Sequence, residues 1–358
     1  MGERSVSILG STGAVGWELA QQLLATGSLG RADRLQLVSR PDGPSGPKAY
    51  GIASDLFDAF GEQAPQIRVA MHPDEIEGDV IVMAAGVTLG PGWTSRDALA
   101  QANLPLFHRY ARAIAERGRG HETVVVVSNS VELAVLVFSR YLGRQRVIGM
   151  GGHTDSLRFR RELSSELGLN RDQVQAFVVG EHSDLQVPLW SSVRIAGQSA
   201  DASLEACRPF RPQRLITQLP QDLAQARTAL RQVLDGGTVP DAYRFVDSLP
   251  ADVRAILRPW VTFYAGASTP GGTARATADV VRALMSDEPR ILSGQVMVEG
   301  EVCGLGAPLA VPVPVRRGGW TTIPPLELWP QEQEALVAAT AALHVKLRSW
   351  QAGAGLPA

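Results

Sequence analysis

Cysteine is scarce: the 358 residues hold two, Cys207 and Cys303. Two thiols cannot build the disulfide framework that staples small secreted folds, so both are read as reduced or simply packed. Long apolar runs are missing as well. No stretch approaches the ~20 residues that span a bilayer. The N-terminal run Ser5–Leu9 reads as a strand rather than the apolar core of a signal peptide, so a cytoplasmic protein with no membrane partner is expected. Charge of one sign is not in excess either. A formal net charge of −2 gives no basis for a nucleic-acid or acidic-membrane partner. No internal repeat is present. What remains, 45% hydrophobic and 20% charged residues, is the composition of a soluble globular chain. Its length suits two domains or one large one.

Val6–Leu9 reads as a strand and runs into Gly10-Ser11-Thr12-Gly13-Ala14-Val15-Gly16. A helix follows, with Val15, Leu19 and Leu23 on one face and Gly27 at its end. Glycines in such a turn let the backbone approach a pyrophosphate at the positive end of the helix; a plain turn is the other reading. A second strand, Leu35–Val38, ends at Ser39-Arg40, and Pro41–Pro47 reads as a loop. Ala49–Phe60 reads as a helix, and Ile67–Ala70 and Asp79–Ala84 as strands. The last opens into a loop from Gly86 to Arg96. Pro105 lies inside the next helix and should kink or interrupt it. Thr123–Ser128 is a β-branched strand ending at Asn129-Ser130; Val131–Leu142 is a helix and Val147–Met150 a strand. Six strands alternating with helices imply an α/β fold with a Rossmann-type, doubly wound parallel sheet. The expected division is a dinucleotide-binding domain over residues 1–150 and an α+β substrate domain over 151–358.

Residues 151–184 concentrate the polar chemistry. Asp155 and Arg158 are three apart and share a helix face. Phe159, Leu163 and Leu167 give that helix an apolar stripe, Gly168 stops it, and Val174, Ala176 and Val178 alternate as a strand does. A strand of that length returns His182 towards the start of the helix. Asp155 could then orient the imidazole, and Arg158 could offer its planar fork to a carboxylate. The alternative is a surface ion pair and a turn histidine. Further on, a helix is read near Gln218–Leu234 and another from Thr269 to Leu284. Strands Ile291–Val298 and Val302–Val311 flank Glu299-Gly300 as a hairpin, in which Pro308 marks a bulge or an edge. Leu336, Ala339, Leu343 and Leu347 mark a terminal helix.

The stretch GHTDSLRFRRELSSELGL, followed by VVGEHSDLQVPLWS, resembles the catalytic segment of the lactate/malate dehydrogenase family, and GSTGAVG resembles the malate dehydrogenase form of its glycine loop. The resemblance covers residues 5–195 well and the rest loosely. It implies that His182 exchanges a proton with the substrate oxygen, that Asp155 pairs with His182, and that Arg96 polarises the substrate carbonyl. It implies that Arg158 binds the carboxylate of a 2-oxo acid, with Asn129, Leu89 and Thr269 (or Ser268) beside it; for Thr269 a helix cap is the competing reading. Cofactor contacts are implied at Gly10, Thr12, Gly13, Ala14, Val15 and Gly16, at Ser39 and Arg40, and at Ala85, Gly86, Asn103, Val127 and Asn129. No metal is implied. Four departures stand out. Ser39 replaces the acid that holds a ribose hydroxyl in NAD-binding members, and Arg40 follows it. A hydroxyl and a guanidinium suit a 2′-phosphate, so NADP(H) is expected, with NAD(H) the alternative and Arg40 as a solvated loop residue the competing reading. Leu89 stands where malate dehydrogenases carry a second arginine, so oxaloacetate is expected to be a poor substrate and uncharged 2-oxo acids better ones. The loop has one extra residue between Gly92 and Arg96, and Ser130 replaces a proline. The expected function is interconversion of a 2-oxo acid and an L-2-hydroxy acid by a homodimer or homotetramer.

Two other classes compete. Semialdehyde dehydrogenases share the glycine loop but need a nucleophilic cysteine, and neither Cys207 nor Cys303 has that setting; the altered loop also admits an imine substrate. A nucleotide-binding regulatory protein could use the same fold without catalysis.

Overall fold

The computed structural model describes residues 4–88 and 95–352. The first half alternates strand and helix: β1 (Ser5–Leu9), α1 (Ala14–Ala25), β2 (Arg34–Val38), α2 (Ser45–Phe60), β3 (Gln66–Ala70), β4 (Val80–Met83), α3 (Arg96–Arg117), β5 (Thr123–Val126), α4 (Val131–Leu142) and β6 (Val147–Gly149). All residues of β1, β4, β5 and β6 are buried, as strands covered by helices on both faces must be. These strands pair in parallel in the order β3-β2-β1-β4-β5-β6. The order reverses at β1 and β4, which leaves a crevice at their carboxyl ends.

The second half contains α5 (Gly151–Leu167), β7 (Val174–Gly180), β8 (Gln186–Ile195), α6 (Ala200–Cys207), α7 (Leu219–Gly236), α8 (Val239–Asp247), α9 (Ala251–Tyr264), α10 (Pro270–Leu284), β9 (Arg290–Glu299), β10 (Gly306–Arg316), β11 (Gly319–Trp320) and α11 (Pro330–Ala352). Its strands are antiparallel: β9 pairs with β10, and β7 with β8. They continue the parallel sheet through one bridge, Gly149↔Gln295, between β6 and β9. The fold is the expected α/β one: a Rossmann sheet joined to an α+β half. Among the described residues no helix is long and apolar enough to cross a membrane.

Several boundaries differ from the sequence expectation. α2 begins at Ser45, inside the stretch read as a loop. Pro47 sits in the first helical turn, where its missing N–H would have had no partner anyway. α3 runs through Pro105 without interruption. Leu99, Ala100, Leu104, Phe107, Ala111 and Ile114 lie almost wholly in the core, and that face outweighs one lost helix bond. β10 starts at Gly306 rather than Val302, so the hairpin loop is longer than two residues. Pro308 makes neither bulge nor break: the register with β9 is unbroken from Gly306↔Glu299 to Val315↔Arg290. The other side of β10 pairs with β7 at Ala310↔Gly180, so the prolines of β10 are asked for few ladder bonds there. The stretch 197–260 forms four helices, α6 to α9.

The junction of the two halves is polar and fully enclosed. Gln295 accepts a bond from the Gly152 amide at 3.0 Å and donates to Glu132 Oε1 at 3.5 Å. The same Oε1 accepts the His182 amide at 2.7 Å. Glu132 is 2% exposed. Burial, and then the nearby Glu181 carboxylate, hold its carboxyl above the usual glutamate range.

The folded state therefore holds this proton more tightly than the unfolded chain does. The associated stability is complete below the ordinary glutamate value of about 4.3 and falls as pH rises towards the folded value. Glu132→Gln keeps a carbonyl acceptor for the His182 amide and removes the ionisation, so its Tm between pH 5 and pH 8, followed by circular dichroism, should vary less with pH than that of the wild type. Glu132→Ala should cost about 1–3 kcal/mol at every pH, because a buried N–H loses its partner. An unaltered pH slope in Glu132→Gln would rule out this proton.

Candidate active site

α5 follows β6 almost without a loop, and two glycines make this packing fit. A Cβ at Gly151 would lie 2.7 Å from His182 Cγ, and one at Gly152 would lie 2.5 Å from Ala310 Cβ. Ser156 donates to Gly152 O at 2.7 Å and accepts the Val178 amide at 2.9 Å, fixing β7 against α5. β7 ends at Gly180, whose φ of +91° turns the chain back over the helix. His182 then meets Asp155: Nδ1 and Oδ2 are 2.6 Å apart. Arg158 donates to the other carboxylate oxygen, Oδ1, at 3.2 Å. Asp155 is 2% exposed, while the His182 and Arg158 side chains are 24% and 27% exposed. The three groups that spacing placed together are together, with the carboxylate buried and the two bases at a cavity.

That cavity has a volume of about 330 Å³. Val127 and Asn129 line it from the sheet side, Ile256, Pro259, Trp260 and Phe263 from α9, and Ser268 and Thr269 from the start of α10. Thr269 occupies the N-cap position of α10, yet its side chain makes no capping bond. Thr269 thus caps α10 by position only, and its side chain faces the cavity lining. The Asn129-Ser130 bond is cis. Leu89 lies outside the described residues. Arg96 opens α3, and its side chain is likewise outside the description.

The nucleotide side is built by close backbone approach. A Cβ at Gly10 would lie 2.7 Å from Ala85 Cα, and one at Gly16 would lie 2.5 Å from Gly10 O. α1 starts after Gly13, with no side chain capping it, so the first amides of Ala14, Val15 and Gly16 keep their donors for an incoming anion. Thr12 is half-buried, and its carbonyl accepts from Lys48 Nζ at 2.8 Å. Ser39 is buried at the end of β2 and Arg40 is exposed beside it. Asn103 is spent on loop geometry: it accepts the Val87 amide at 2.8 Å and donates to Val87 O at 3.1 Å and Asn129 O at 2.7 Å. A side chain at Gly86, where φ is +151°, would meet Asn103 Oδ1 at 2.8 Å. Uncapped amides and glycine-only approaches at the sheet crevice fit a dinucleotide.

Several contributors had no visible signal in the sequence reading. Glu132 holds the His182 amide from 50 residues away. Asp184 is ion-paired with Arg227 of α7, whose guanidinium carbon stands 4.4 Å from the centroid of a Trp260 ring. Neither cysteine has the setting of a nucleophile. Cys207 is buried, and burial pushes its thiol up to about 11; Cys303 lies on the hairpin loop, away from the cavity lining.

Residues 4–149 match the family model described as lactate/malate dehydrogenase, NAD binding domain, and residues 153–230 match the one described as lactate/malate dehydrogenase, alpha/beta C-terminal domain. The malate dehydrogenase of Methanothermobacter thermautotrophicus is 29% identical over 348 residues, 95% of this chain and 94% of that protein. The L-2-hydroxycarboxylate dehydrogenase (NAD(P)(+)) of Methanocaldococcus jannaschii is 27% identical over 332 residues, 90% and 91% of the two chains. The fold is shared with a minor L-lactate dehydrogenase of Enterococcus mundtii, at TM-score 0.76 and 23% identity over 97% of this chain and 98% of the other. It is shared as well with the malate dehydrogenase of Aeropyrum pernix, at TM-score 0.74 and 24% identity over 96% and 97%. The two matched segments together span more than half of the sequence, and the chain belongs to the lactate/malate dehydrogenases.

Proposed function

We propose that the protein is an NAD(P)-dependent 2-hydroxy acid dehydrogenase interconverting a 2-oxo acid and an L-2-hydroxy acid. The observation that carries this reading is the Asp155–His182–Arg158 cluster at the wall of one cavity with Asn129. When bound, a reduced nicotinamide supplies the hydride that adds to C2 of the substrate. His182 gives the proton that the carbonyl oxygen takes up as its π bond breaks, and recovers it in the reverse direction. Asp155 holds Nδ1, so exchange falls to Nε2, and the buried carboxylate balances the imidazolium charge. Arg158 binds the substrate carboxylate with its fork. Arg96 is assigned to the carbonyl oxygen, where a positive group offsets the charge that develops there. Thr269 and Asn129 bound the substrate, and Leu89 supplies no cation for a second carboxylate, so the substrate is not simple oxaloacetate.

NADP(H) is the proposed cofactor, with NAD(H) the alternative. Exposed Arg40 beside Ser39 supports it, and Lys48 adds a second cation next to the glycine loop. The division near residue 150 into a dinucleotide-binding and a substrate domain, and assembly as a homodimer or homotetramer, belong to the same reading.

Arg40→Ala should raise the KM for NADPH far more than that for NADH, because only NADPH carries the 2′-phosphate. A wild-type preference for NADH in kcat/KM would sink the cofactor assignment.

His182→Gln should lower kcat for 2-oxo acid reduction by about 10²–10⁴, the usual contribution of a placed acid–base group. Cofactor affinity, measured by nicotinamide fluorescence, should stay near wild type. Retention of kcat would move the proton donor elsewhere.

Arg158→Lys keeps the charge and loses the planar fork. It should cost about 2–5 kcal/mol in kcat/KM, as breaking a buried charged pair does. A near-normal value would mean that the carboxylate binds at another group.

A further inference from the structure

α9 has two apolar faces. Val253, Leu257 and Val261 point into the core, at 2%, 0% and 0% exposure. Ile256, Pro259, Trp260 and Phe263 recur at i, i+3, i+4 and i+7, which places them on one helix face. All four line the cavity that holds Asp155, Arg158 and His182. Exposure along this second face rises from 5% at Ile256 to 46% at Trp260 and 56% at Phe263. An apolar wall leading away from a small group of convergent polar side chains is how sites for small molecules are built.

The charges along the wall sharpen this. Asp184 lines the cavity and is bound by Arg227, which also stacks on Trp260. The arginine is thus committed twice, and the indole is held at the wall by it. A second carboxylate on the substrate would face an acid and an apolar surface, and burying it there is costly. The volume of about 330 Å³ is at the lower end of the roughly 300–1,000 Å³ typical of sites that enclose whole small molecules.

We propose that the α9 wall receives the side chain of the substrate, and that the preferred substrate is a 2-oxo acid bearing a bulky, uncharged, apolar group, an aromatic ring above all. This rests on the dehydrogenase reading and adds the substrate class. The acid end sits at Arg158 and His182; the side chain lies along Ile256, Trp260 and Phe263. Offset or edge packing on Trp260 and Phe263 favours a ring over an alkyl chain of equal size.

The test is a comparison of kcat/KM for pyruvate, oxaloacetate, 4-methyl-2-oxopentanoate and phenylpyruvate with the intact chain, Trp260→Ala and Phe263→Ala. Fold is checked by circular dichroism and oligomeric state by light scattering. Phenylpyruvate and 4-methyl-2-oxopentanoate should exceed pyruvate by about ten-fold or more, since even one buried methylene is worth about ten-fold or more. Each variant should lose a similar factor on phenylpyruvate and a clearly smaller one on pyruvate, so that the ratio of the two kcat/KM values falls. Should Trp260→Ala fail to fold, Phe263→Ala, at the more exposed end of the same face, decides alone. If pyruvate or oxaloacetate is the best substrate, or if the variants lose equally on all acids, the substrate class is wrong while the dehydrogenase reading stands. If a variant dissociates an oligomer and falls equally on every acid, the wall belongs to a second copy and the proposal is overturned. If none of the four acids is reduced, the dehydrogenase reading falls and takes this one with it.

Discussion

A carboxylate taken almost wholly out of water needs charged or hydrogen-bonding partners, or it neutralises or destabilises the fold. Asp155 is such a group, and its two oxygens are held by different chain segments: Oδ2 by His182, after β7, and Oδ1 by Arg158, one turn along α5. The pairing therefore ties the end of an antiparallel strand to the start of a helix that leaves the parallel sheet. Everything else about the site follows from keeping those segments in register. Ser156 bonds both Gly152 and Val178, and Gly151 leaves room for the imidazole.

The same junction explains why the two sheet types can share one edge. β6 and β9 meet at a single bridge, so the backbone alone provides little continuity there. Side chains replace it. Gln295 bonds the Gly152 amide and Glu132, and Glu132 bonds the His182 amide, linking β9, α5, α4 and the end of β7 through one enclosed chain of hydrogen bonds. Such a network is stabilising only when fully satisfied. Burial, and then the nearby Glu181, raise the Glu132 carboxyl above its usual range, which lowers the cost of enclosing it.

The helices α6 to α9 give the site its particular character. Arg227 of α7 reaches Asp184, two residues beyond His182, and stacks on Trp260 of α9. A helix far along the chain thus touches the loop that carries His182. The helix α9 then turns an apolar face to the cavity. In the proposed reaction, the chemistry at C2 and the recognition of what C2 carries fall to different parts of the chain, the first to α5 and the loop after β7, the second to α9.

Local physics decided much of this before folding. Period-two and period-3.6 patterns, the glycines of residues 10–16 and the three-residue spacing of Asp155 and Arg158 are all short-range features. They were sufficient for the parallel sheet, the uncapped start of α1 and the meeting with His182. Where local rules conflict with packing, packing won: Pro105 sits in an unbroken helix because its neighbours are buried in the core, and Pro308 sits in a regular strand because few bonds are asked of its other side. Glu132, Gln295 and the α9 wall were not legible, and for one reason. Each acts on residues at least 50 positions away, and no pattern within a helix or strand says which distant partner a side chain will meet. The apolar residues of α9 are plain in the chain. That one set of them fills the core and the other lines the cavity was decided only when the helix docked, because both sets have the same spacing and the same chemistry.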